Sequence, residues 1–122
     1  MDSFWEIEQE NYGFVLTLLR DWDIDRVNEF SNFVNENVRL GKPQNFIIDL
    51  KNVNYIDSTI ITVLLSIFKQ VKKSGGDFFI LNPCDTVLTT FQKAGLSGFF
   101  KVLNADVDLK TQIRYIEDTK NH

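Results

Sequence analysis

Histidine and cysteine are almost missing from this chain of 122 residues: there is one of each, and His122 is the last residue. The lone Cys84 excludes an internal disulfide, and with it the class of small disulfide-stapled secreted domains. No grouping of Cys, His and Asp has metal-ligand spacing, so no zinc site is expected. Ser58 has no histidine base to activate it, which argues against a hydrolase triad. Ser74-Gly75-Gly76 lacks the lysine and the spacing of a phosphate-binding loop and reads as a helix stop. Neither an enzyme nor a bound cofactor is expected.

Positive charge is also scarce. The 13 Lys and Arg against 17 Asp and Glu leave a net charge of −4, without a long basic run. Nucleic acid and anionic membrane surfaces are therefore poor partners. The longest apolar-rich stretch, residues 60–68, is far shorter than the ~20 residues that span a bilayer. The opening "MDSFWEIEQE" is acidic and alternating, unlike the basic start of a secretory signal. A cytoplasmic protein is expected, with no membrane insertion.

What is present suits one packed domain over residues 1–122. Hydrophobic residues make up 43% and include 11 Phe, while charged residues make up 25%. Residues 4–8 and 14–19 read as strands around the turn signal Asn11-Tyr12-Gly13, a hairpin. Ile24, Val27, Phe30, Val34 and Val38 recur at helical spacing, with Asp23 as a cap and Gly41 and Pro43 as the stop. "NFIIDL", residues 45–50, is an apolar run without alternation, as in a strand covered on both faces. A second helix is expected over Ser58–Ser74 and a second buried strand over residues 77–82. A third helix runs through Val87, Leu88, Phe91 and Ala94 to Gly95. A short strand in "FKVLNA" follows, and then a fourth helix over residues 108–117 with Leu109, Ile113 and Ile116 on one face. The order is ββαβαβαβα, an α/β domain with about four helices. Strands separated by helices favour parallel pairing, and the opening hairpin adds an antiparallel pair, so the sheet is expected to be mixed and mostly parallel.

Chemistry concentrates at the start of the second helix, in "YIDSTII", residues 55–61. Either Asp57 or Ser58 can satisfy one of the orphan N–H groups there. A hydroxyl at such a boundary is also open to modification. A phosphate would add roughly −1.5 to −2 charges, welcomed by helix N–H groups and repelled by Asp57. Asp21 and Asp23 end the preceding segment and can share a rim with Asp57. The apolar residues of this helix span an arc of roughly 200°, more than one sheet contact needs. Either the helix is deeply buried, or the edge carrying Ile61 and Leu65 meets a partner. Trp22 serves either packing or partner contact. Cys84, at a helix start, is read as structural.

The apolar strand ending in Asp-Leu, then "YIDST", "KKSGGDFFILNP" and "FQKAGLSGFFKV" follow one another in an order that resembles the STAS domain of bacterial anti-sigma factor antagonists, which has Asp-Ser-Ser/Thr-Gly at the place of "YIDST". "LLRDWDIDRV" is similar to the segment where the family often has Gly-x-Leu-Asp before its first helix. The resemblance covers about residues 10–115. It implies a protein that binds an anti-sigma factor, often a serine kinase of the histidine-kinase-like ATPase fold, when unphosphorylated. Phosphorylation of the hydroxyl after the motif Asp ends the interaction, and a serine phosphatase resets it. Carried over, the acceptor is Ser58, or less readily Thr59. The partner-binding residues are Trp22, Asp23, Asp57, Thr59, Ile60 and Ile61. The chain departs from the motifs at Arg20 and Ile60, each in place of a Gly. Some STAS proteins without the motif Gly serve as scaffolds or as subunits of signalling or transporter complexes, which is the alternative reading. Nucleotide binding is a third, without a phosphate-cradling loop in its favour.

Overall fold

The computed structural model describes residues 4–10, 13–21, 24–37 and 44–103. Within them, five strands form one sheet: β1 (Trp5–Glu10), β2 (Gly13–Leu18), β3 (Asn45–Asp49), β4 (Phe78–Leu81) and β5 (Lys101–Leu103). Three helices connect them: α1 (Ile24–Asn37), α2 (Ser58–Ser74) and α3 (Asp85–Lys93). The sheet order is β1-β2-β3-β4-β5, antiparallel between β1 and β2 and parallel thereafter. The mixed, mostly parallel α/β sheet expected from the alternation of elements is therefore present. The expected fourth helix, the Asp23 cap and the Gly41–Pro43 stop lie outside the described residues.

Each parallel crossover advances one strand in the same direction. Crossovers of one hand then place their helices on the same face of the sheet. The main core forms there. Leu16 and Leu18 of β2, Phe46 and Ile48 of β3, and Phe78 and Ile80 of β4 cluster with Phe30, Leu64 and Phe91 from the three helices. The alternate positions make a second cluster on the other face, in which Ile47 and Phe79 are fully buried beside Leu81 and Leu103. Burial on both faces explains why "NFIID" and "FFIL" read as unbroken apolar runs. Rings continue the packing, with Phe46 stacked on Phe78 at 6.4 Å and Phe100 tilted against Phe91 at 5.3 Å.

Helix α2 ends on Gly75, whose φ of 95° lies in the left-handed region that costs glycine little. The Gly76 N–H then closes the turn by donating to the Val71 carbonyl at 3.1 Å. Helix α3 buries Val87 and Phe91, and Ala94 is its exposed cap residue. The chain turns at Gly95, and Leu96 N–H donates to the Phe91 carbonyl, which leaves Ala94 on the solvent side.

Candidate functional site

The segment between β3 and α2 is fixed residue by residue. Lys51 N–H donates to the buried Asp49 carboxylate at 2.9 Å, and Val53 N–H donates to the Leu50 carbonyl at 3.0 Å. The Asn52 amide donates to the Leu18 carbonyl at 3.3 Å, tying the loop to the end of β2. Asn54 donates twice to Asp21, from its backbone N–H at 2.5 Å and from its side chain at 3.2 Å. Val53 and Ile56 are buried, so the loop has apolar anchors below and polar ties at its side. Asp21 thereby joins the rim that carries Asp57, as anticipated. Trp22 and Asp23 lie outside the described residues.

Asp57 has extended backbone (φ −120°, ψ −176°), and its carboxylate accepts the Ile60 N–H at 3.0 Å. This is the N-cap, and of the two candidates Asp57 takes it. Ser58 is thus free of the capping role: it opens the first turn, exposed, with Thr59 beside it. Thr62, one turn on, donates its hydroxyl to the Ser58 carbonyl at 2.9 Å. Helix geometry gives the N–H groups of Ser58 and Thr59 no intrahelical acceptor. A group on the Ser58 oxygen would meet those donors on one side and the Asp57 carboxylate on the other. Among the described residues no group of three or more His, Cys, Asp or Glu could hold a metal ion.

Ile60 corrects the reading of this turn. It was expected at a partner face, yet it is only 4% exposed and belongs to the main core. The spacing explains it. The buried stripe of α2 is Ile60, Leu64, Ile67 and Val71, one position every three or four residues. Ile61 and Leu65 flank that stripe, half-buried and packed against the core. The broad apolar arc is therefore a buried stripe with half-covered shoulders. Tyr55, which the sequence did not single out, is 54% exposed three residues before Ser58. Val53 and Ile56 on either side of it are buried, so residue type alone gave little sign of this.

The family model of the STAS domain matches residues 5–109. The chain belongs to the STAS domain family. Two relatives of this STAS protein are named antagonists of anti-sigma factors. The anti-sigma-B factor antagonist of Bacillus subtilis (strain 168) is 36% identical over 55 residues, covering 45% of this chain and 50% of the relative. The anti-sigma F factor antagonist of Paenibacillus polymyxa is 24% identical over 102 residues, covering 80% of this chain and 83% of the relative. The fold matches that of the anti-sigma factor antagonist SpoIIAA in its unphosphorylated form, with a TM-score of 0.74 at 17% identity, covering 93% of this chain and 96% of that one. No helix among the described residues is long and apolar enough to cross a membrane.

Proposed function

We propose that this STAS protein is a phosphorylation-controlled anti-sigma factor antagonist of the cytoplasm. Unphosphorylated, it binds an anti-sigma factor that is itself a serine kinase of the histidine-kinase-like ATPase fold. Phosphorylated on Ser58, it lets that partner go, and a serine phosphatase restores it. One observation carries this reading: Asp57 performs the cap, so the exposed Ser58 hydroxyl is available without loss to the helix. A phosphate there places roughly −1.5 to −2 charges beside the Asp57 carboxylate. Burying that charge, with its three oxygens, against a surface fitted to a hydroxyl costs several kcal/mol in lost hydration, enough to release a partner without refolding the domain. Asp57, Thr59 and Ile61 are on or beside this surface and are proposed to contact the partner, with Trp22 and Asp23 of the preceding segment.

The rival reading, an unphosphorylated scaffold, draws on Ile60 as a bulky residue where the family has Gly. Burial of Ile60 in the core weakens it, because that side chain does not stand over Ser58. Incubation with the purified kinase and ATP, followed by fragmentation mass spectrometry, is expected to find one added phosphate on Ser58. Ser58→Ala should abolish it and hold the complex together. Modification absent from both Ser58 and Thr59, or a partner indifferent to Ser58→Asp, would favour the scaffold.

A further inference from the structure

Three large apolar side chains are exposed among the described residues: Tyr55 at 54%, Phe99 at 45% and Val102 at 42%. Phe99 already rests on other rings, 4.8 Å from Phe68 and 5.4 Å from Phe100. Tyr55 has no ring neighbour among the described residues. It also stands in a closely held loop. Val53 and Ile56 on either side of it are 1% and 5% exposed. Asn54 is clamped by both carboxylate oxygens of Asp21. The Cys84 thiol lies 3.6 Å from the Val53 and Asn54 carbonyls, so the start of α3 braces the same backbone. Asp57 is committed to the helix cap. Residues 53–57 are thus fixed by burial or hydrogen bonds at every position except Tyr55, whose ring projects into solvent.

A rigid backbone carrying one free aromatic suits recognition. Ordering a flexible loop on binding costs affinity, and here the loop is ordered in advance. Tyrosine adds a large apolar area with only two side-chain torsions to fix, and it is over-represented among residues that dominate interface energies. We infer that Tyr55 is the anchor through which the protein partner grips the rim around Ser58, its phenol entering an apolar slot on that partner. The inference rests on the proposed function and names a residue that binds without being modified. The chemistry of the partner follows from the neighbours. Asp21, Asp57 and Asp85, the first residue of α3, put carboxylates on this side, while Lys51 is turned to Asp49 at 3.9 Å. A slot edged by Lys or Arg complements that arrangement.

The experiment uses the full chain against each serine-kinase anti-sigma factor encoded in the same genome, purified and immobilised. Wild type, Tyr55→Ala, Tyr55→Phe and wild type phosphorylated on Ser58 are compared by binding kinetics. Tyr55→Ala is expected to bind at least about thirty-fold more weakly, mainly through faster dissociation, and Tyr55→Phe to bind within about three-fold of wild type. Melting of Tyr55→Ala is expected at the wild-type temperature, because the ring is exposed. If that variant melts early, Tyr55→Leu replaces it, keeping apolar bulk against the loop while losing the ring. Wild-type affinity in whichever variant folds would overturn the inference, and release of wild type by phosphorylation in the same experiment would leave the proposed function intact. Failure of wild type to bind any of these kinases would overturn both.

Discussion

The side chain of Ile60 leaves the first turn of α2 inward, 4% exposed, while Ser58 and Thr59 face solvent. Three consecutive residues thus divide one turn between fold and surface. The family pattern has Gly where this chain has Ile60, and here the larger side chain fills core space. Ile60→Gly is expected to lower the unfolding free energy by about 3–5 kcal/mol, from lost burial and from the poor helix propensity of glycine. Urea titration checks this; a loss under about 1 kcal/mol would mean that the core closes over the gap. The same division explains what the sequence could tell about the site. Asp57 and Ser58 were both candidate caps by residue type, and only the backbone geometry decides between them. The cap accepts from the residue three positions on, so its identity sets which hydroxyl is left over.

At the scale of elements, α2 is fixed at both ends by backbone requirements. A Cβ on Gly76 would sit 1.9 Å from the carbonyl oxygen of Gln44, just before β3, a distance no rotamer change can relieve. Gly76→Ala is therefore expected to destabilise the domain by about 2 kcal/mol or more, through displacement of the turn against β3. A melting temperature unchanged by this substitution would show that the two backbones can part easily. The bounds of α2 were legible because its signals agree: a cap candidate, a periodic apolar stripe and a Gly-Gly stop. The strands were legible as apolar runs, with ends displaced by one or two residues, since flanking polar residues such as Asp77 and Asn82 also pair with the backbone. Exposure was harder to read. Tyr55 and Ile60 flank the same helix start, one exposed and one buried, and each takes its environment from the loop or cap beside it rather than from its own residue type.

Across the whole molecule, Asp77 joins elements distant in the chain. Its carboxylate meets Lys72 at the end of α2 at 3.1 Å and Lys101 in β5 at 3.3 Å, while its N–H donates to the Asn45 side chain of β3 at 3.2 Å. The carboxylate is largely buried, yet both lysines are more than a third exposed, so solvent screens the pairs. Asp77→Ala is expected to cost about 1–2 kcal/mol, with the difference shrinking as salt is added. A deficit independent of salt would assign the loss to packing instead of charge. The sheet order β1-β2-β3-β4-β5 has a consequence in time. Each described strand after β1 pairs with the one synthesised just before it, and none of them has to slip between two earlier ones. Closing each pairing spans one hairpin turn or one crossover, which keeps the ordering entropy small at every step. The sheet can therefore grow from one edge in the order in which the ribosome releases the chain, and the rim around Ser58 is complete only when α3 arrives to brace it.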